Sequence, residues 1–190
     1  MITNEQIEEF ISQFPIYQYS FITPADVEHY DDVRSVCKSI CKRYDTNWAC
    51  PPAVAKVQKC AKRCAEFDQV LFFSSFGAVE KGNAKERNES LKVHEELTRH
   101  IEDHLIANGV TVYTLTSDAC NLCSKCTFPH EYCRHEELMH PCIESHGISV
   151  TDLAEKCCMD YDMGRRLYLW FSLIYFREDE TEPNGEVFHE

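Results

Sequence analysis

Four cysteines, Cys120, Cys123, Cys126 and Cys133, follow the spacing Cys-x2-Cys-x2-Cys-x6-Cys. Two-residue spacers let successive thiolates converge on one centre while the backbone between them turns its N–H groups toward the sulfurs. Ferredoxin-type iron–sulfur clusters are held by Cys-x2-Cys-x2-Cys and one further cysteine. Zinc sites instead arrange their ligands as two pairs separated by a longer span. Three cysteines in one tight run, closed locally by a fourth, therefore favour a [4Fe–4S] cluster, with Zn2+ as the alternative. Lys125, Arg134 and His135 stand beside these thiols. They are either donors that raise the cluster potential or ordinary surface residues.

A second group reads Cys37-x3-Cys41-x8-Cys50-Pro51-Pro52 and offers three thiols. Three are too few to close a four-ligand site. The group borrows a fourth ligand from Cys142, Cys60, Cys64, Cys157, Cys158 or a histidine, or it leaves a metal position open for a small molecule. A structural role without metal is the third reading. The spacing is not the Cys-x3-Cys-x2-Cys used for radical chemistry with S-adenosylmethionine.

Twelve cysteines in 190 residues are many for an intracellular chain. Apolar residues make up 44% of the sequence, enough for a core that needs no cross-links, and the same content excludes intrinsic disorder. The first residues, MITNEQIEEF, show no basic stretch followed by an apolar run, so a secretory leader is not expected. The longest apolar stretch covers Leu167 to Phe176 and is too short to span a bilayer. These features point to a soluble cytoplasmic protein, where thiols stay reduced and clustered cysteines serve as metal ligands. With 19 Lys and Arg against 32 Asp and Glu, the net charge is −13. Nucleic acid and anionic membrane are excluded as partners on that balance. An acidic surface suits docking to a basic redox protein.

The elements that must position these thiols are readable from periodicity. Helices are predicted at Glu5–Phe14, across Ala53–Phe67 after Pro51-Pro52, at Lys85–Ala107, near Glu136–His140 and at Thr151–Cys158, the last capped by Ser149 or Thr151. Strands are predicted at Ile16–Ile22, Val70–Phe76, Val110–Thr116 and Arg166–Phe176, the last central because it is so apolar. Asp31–Cys50 reads as irregular. The expected fold is α/β or α+β, one domain over residues 1–176, with a sheet of about four strands flanked by helices and two cysteine-rich loops. Residues 177–190 read as a loose acidic tail.

Two segments carry a family resemblance: Cys37-x3-Cys41-x2-Tyr44-x3-Trp48-x-Cys50-Pro51-Pro52, and the Cys120 to Cys133 run followed by Arg134-His135. Pro141-x3-Ser145-x-Gly147-Ile148-x-Val150 adds a third. Over about residues 16–176 the chain resembles an uncharacterised family of predicted metal-binding proteins, domain of unknown function 2284. The resemblance implies metal binding, foremost iron–sulfur, by the seven motif cysteines, and it brings no reaction with it. The chain departs from the family pattern at Ser117-Asp118-Ala119, where glycines are usual, and at Glu136, where proline often stands. Cys60, Cys64, Cys142, Cys157 and Cys158 fall outside the pattern and read by default as small buried apolar residues.

Other constellations are weaker. His100 and His104 are one helical turn apart, but they flank an apolar stripe among Glu95, Glu96, Arg99, Glu102 and Asp103, which reads as a solvated helix edge. The run after His94 lacks the second histidine of a His-Glu-x-x-His site, since Thr98 stands there. Neither a phosphate loop nor Gly-x-Ser-x-Gly occurs. Tyr168, Trp170, Phe171, Tyr175 and Phe176 read as core. On these grounds the expected activity is electron transfer or redox chemistry. The rivals are a zinc-stabilised interaction module and a redox enzyme that binds substrate at the three-thiol group.

Overall fold

The computed structural model describes residues 2–80, 83–164 and 167–178. Its frame is an antiparallel sheet built from β1 (Gln18–Ile22), β2 (Gln69–Ala78), β3 (Val110–Thr116) and β4 (Leu167–Glu178), in the order β1-β2-β4-β3. Helices α1 (Asn4–Ile11), α2 (Asp31–Ile40), α3 (Val57–Cys64), α4 (Ala84–Ala107) and α5 (Val150–Lys156) surround it. The fold is thus a single-domain α+β arrangement, the second of the two expected classes.

Side chains alternate across a strand, and here both faces are covered. Leu71, Phe73, Ile174 and Phe176 pack with Ile7 and Ile11 of α1 and Leu97, Ile101 and Leu105 of α4. Val70, Phe72, Phe171, Leu173 and Tyr175 point the other way, toward Ile143, Ile148, Leu153 of α5 and Cys64 of α3. Burial on both faces explains why β4 reads as an unbroken apolar run, and its place between β2 and β3 makes it central, as expected. The strand continues through Arg177 and Glu178, two residues into the segment expected to be a loose tail. Residues 179–190 of that segment lie outside the described residues. Among the described residues no helix is long and apolar enough to cross a membrane.

Local chemistry sets the helix ends. Thr3 and Gln6 form a reciprocal capping box on α1, satisfying backbone donors that the first turn leaves free. Ser149, one of the two expected caps, accepts from the Asp152 N–H at the start of α5. The segment near Glu136 makes only a single 3-10 turn, Glu136–Leu138.

Two expected elements are corrected. Asp31–Cys50 is not irregular throughout, because α2 occupies its first half. Asp31 and Asp32 sit in the first turn of α2 and Lys38 in the last, which complements the helix dipole. The helix expected from Ala53 begins only at Val57. Residues between them turn back instead, with the Ala53 and Val54 N–H groups donating to the Cys50 carbonyl. The carbonyls of Val54 and Ala55 accept from the Arg34 guanidinium rather than from helical N–H groups.

The histidines of α4 divide. The His104 ring is half-buried and stacks on Phe10 at 3.6 Å, whereas His100, 6.0 Å from the Phe14 ring, stays exposed as expected. His94 is wholly buried. Its Nδ1 lies 2.7 Å from Ser75 Oγ and its Nε2 2.9 Å from Ser172 Oγ. Burial pushes the His94 pKa down to about 4, from 6.5. The unfolded chain therefore takes up this proton first as pH falls. The stability contributed by the neutral ring is complete above pH 6.5 and is lost as pH falls toward 4, an effect of about 3 kcal/mol. Urea midpoints should drop between these pH values, and His94→Gln should flatten the drop. An equally steep drop in the variant would assign it to other groups.

Candidate metal centre

Between β3 and the Glu136 turn the chain forms no helix or strand, and the expected four-cysteine loop lies here. Cys120, Cys123, Cys126 and Cys133 are all half-buried free thiols. They line one small pocket of about 20 Å³ together with Trp48 and His135. Burial pushes the Cys120 thiol up, the Leu122 N–H donated to it pulls it down, and the charges of Glu95, Cys133 and Cys123 push it up again. A backbone donor therefore does face a loop sulfur. Arg134 instead donates to the Lys125 carbonyl, at 3.4 Å, and Lys125 is exposed.

Trp48 props this loop from the other cysteine segment. Its Nε1 donates to Thr127 Oγ1 at 3.3 Å, and its ring meets Phe128 edge-on at 5.0 Å. Thr127 Oγ1 in turn donates to the Tyr132 carbonyl. These contacts brace the span between Cys126 and Cys133.

The other group takes its thiols from two kinds of support. Cys37 lies on α2 and Cys41 caps its end. Cys50 ends the Trp48 segment and is buried. Along α2, Val33, Val36, Cys37 and Ile40 share one face, and all four line a cavity of about 970 Å³. No residue of α2 is buried, so packing does not hold it. Polar ties do. Arg34 donates to the Val54, Ala55 and Ser145 carbonyls, and the Tyr30 N–H before the helix donates to the Gly147 carbonyl at 2.7 Å. Gly147 has φ of +77°, and a Cβ there would stand 2.7 Å from the Tyr30 carbonyl oxygen. Glycine is needed for that close approach.

Cys142 enters the same cavity from the loop after the four-cysteine segment. Its N–H donates to the Ala49 carbonyl at 3.0 Å, and it packs with Cys50 and Ala119 in a small buried cluster. The Cys142 thiol donates to Glu144 Oε2 at 2.8 Å. Its closeness to Cys50 holds the Cys50 thiol below its ordinary value, and the same closeness, with burial and the Glu144 charge, raises Cys142. Burial pushes Cys37 up to about 11, helped by the charges of Glu144, Cys41 and Cys50.

The two groups adjoin. Ala119 packs on Cys50 and Cys142 while its neighbour Cys120 lines the small pocket. Asp118, at φ +66°, anchors that wall through ion pairs with Arg87 at 2.5 Å and Arg43 at 3.5 Å. Among the described residues no three Cys, His, Asp or Glu side chains converge closely enough to grip a single ion. The thiols line shared pockets instead.

The remaining thiols lie elsewhere. The Cys60 thiol donates to the Ala55 carbonyl, Cys64 is in the core under β4, and Cys157 and Cys158 lie beside Ser20 and Asp26. Cys60, Cys64 and Cys142 are buried, as the default reading expects, whereas Cys157 is half-buried and Cys158 exposed. Cys142 is also one of the candidate fourth ligands that carry no motif spacing of their own.

Beneath the loop, the α4 edge expected to be solvated carries a buried charge network. Glu95 is buried, and so is His140. His140 Nε2 is 2.8 Å from Glu102 Oε2 and Nδ1 is 3.4 Å from Glu95 Oε2. Arg99 adds a second cation at 3.3 Å from Glu95 and donates to the Leu138 carbonyl. Burial opposes the charge on His140, yet the bonds from Glu102 and Glu95 outweigh it and raise its pKa. Burial likewise opposes both carboxylates, and His140 outweighs it and lowers them.

The structure is an α+β domain whose loops carry two adjoining sets of cysteines. The family described as predicted metal-binding protein, domain of unknown function 2284, matches residues 20–176, and the chain belongs to that family. No curated protein and no solved structure matched the chain.

Proposed function

We propose that the protein is an iron–sulfur protein acting in electron transfer or redox chemistry, with a [4Fe–4S] cluster at Cys120, Cys123, Cys126 and Cys133. The observation that carries this reading is the lining of one small pocket by all four thiols of a Cys-x2-Cys-x2-Cys-x6-Cys loop. Four thiolates are the donor set such clusters take. A cluster bound there supplies one-electron transfer. The chain's own residues supply the thiolates, the Leu122 N–H that meets a sulfur, and the Trp48 prop that fixes the loop. The Cys37, Cys41 and Cys50 group is read as a second centre, adjoining the first across Ala119, which suits electron passage between them. An acidic chain of net charge −13 fits a basic redox protein as partner, and the reading places the protein in the cytoplasm.

The cavity of about 970 Å³ beside the second group supports one further reading, a redox enzyme that holds a small molecule next to that centre. Anaerobic purification followed by metal analysis, sulfide analysis and visible absorption tests the main reading. Iron, inorganic sulfide and a broad visible absorption that bleaches on reduction are expected. A colourless protein with stoichiometric zinc and no sulfide would sink it in favour of a zinc-stabilised module.

A further inference from the structure

We infer that Cys142 is the fourth protein ligand of a second metal centre, completing the set Cys37, Cys41, Cys50 and Cys142. The inference rests on the metal reading of the Cys37, Cys41 and Cys50 group.

Three independent features support it. All four sulfurs belong to residues lining one cavity, although they come from α2, the Trp48 segment and the loop after the four-cysteine run. Cys142 is held at Cys50 by main-chain geometry rather than by chance packing. Its N–H donates to the Ala49 carbonyl, and the Ile143 N–H beside it donates to Thr116 at the end of β3. The residue before it is tied as well, since the Pro141 carbonyl accepts from the Thr116 N–H. Cys142 is thus clamped between the sheet and the segment that bears Cys50. Finally, the other four spare cysteines lie outside this cavity and have neighbours of their own.

The division of supports suits a centre that assembles in order. Cys50 and Cys142 are buried and backbone-anchored, which makes them a fixed pair. Cys37 on α2 and Cys41 at its C-cap arrive four residues apart, on a helix with no buried residue that Arg34 ties to the Val54 and Ser145 carbonyls. Such a helix can adjust toward a metal at low packing cost. Ligation by Cys142 breaks its S–H bond, forms one sulfur–metal bond and releases the proton to solvent. With four thiolates in place the metal has no open protein-facing position for substrate. Any small molecule in the cavity then lies beside the centre, not on it.

Metal and sulfide content of the full chain, purified anaerobically, tests the inference, with Cys142→Ala and Cys142→Ser compared with wild type, Cys123→Ala, Cys60→Ala and Cys157→Ala. The expected result is a fall to roughly half the wild-type metal in both Cys142 variants. Loss of the remaining metal should follow when Cys123→Ala is added. Cys60→Ala and Cys157→Ala should keep the full content. Circular dichroism of the chelated proteins separates misfolding from ligand loss, since the sheet of a folded variant matches that of wild type. Full metal content in folded Cys142→Ala would overturn the inference. Half content carried by zinc would uphold Cys142 as a ligand while sinking the iron–sulfur reading. A wild-type protein with metal at the Cys120 loop alone would overturn the second centre and leave the first standing.

Discussion

Metal removal is expected to speed tryptic cleavage after Lys125 and Arg134 by about a hundredfold or more, while the sheet stays intact. Both residues are exposed, and between β3 and the Glu136 turn the chain has no helix or strand to resist a protease. None of residues 120–139 is buried. Two main-chain hydrogen bonds, from His130 and Glu131 to the Thr127 carbonyl, cross the tip of the loop. Side chains add the Trp48 and Arg134 contacts. So few contacts cannot meet the conformational entropy of ordering some twenty residues, which costs roughly 1 kcal/mol or more for each. Four sulfur–metal bonds can, because a metal site absent from the unfolded chain adds its binding free energy to folding. The check is limited trypsin digestion of metal-loaded and chelated protein, read by mass spectrometry. Fragments ending at Lys125 and Arg134 should appear in the chelated sample, with β2 and β4 in protected pieces. Equal rates in the two samples would mean that the loop orders itself, and Cys120, Cys123, Cys126 and Cys133 would lose their place as ligands.

What the sequence made legible follows the strength of local pattern. Val110–Thr116 was readable to the residue, because a β-branched run ends in Ser-Asp on one side and starts after Asn-Gly on the other. The length of α4 was readable from Leu91, Leu97, Ile101 and Leu105. Strand order and direction were not, since pairing joins residues far apart, such as Phe73 with Ser172. The face of α2 is present in the sequence as Val33, Val36, Cys37 and Ile40, but it covers a cavity instead of a core, and its lower half is interrupted by a cysteine. Charge misled most. Glu95 and Glu102 look like a solvated edge until His140, forty residues on, closes over them. For the same reason Cys142 had no local mark. Only the fold brings it to Cys50.

His140 is where the loop meets the scaffold, and its removal carries the other large effect. The cluster holds two carboxylates and two cations, Glu95 and Glu102 against His140 and Arg99. Each imidazole nitrogen faces a different carboxylate, and these two partners favour the protonated ring against its burial. Its loss strands buried negative charge, and breaking a buried pair by removing one partner costs about 3–5 kcal/mol. Arg99 still neutralises Glu95 from the other side, so the lower end of that range, about 3 kcal/mol, is expected for His140→Ala. Urea denaturation of wild type and variant at neutral pH gives the difference directly. His140→Gln keeps a donor without the charge and should fall between them. The triple variant that replaces His140, Glu95 and Glu102 by apolar residues should recover most of the loss, because the penalty comes from unpaired charge and not from lost attraction. A His140→Ala loss below about 1 kcal/mol would mean that water reaches the carboxylates, and the network would then be a surface feature and not the anchor of the four-cysteine loop.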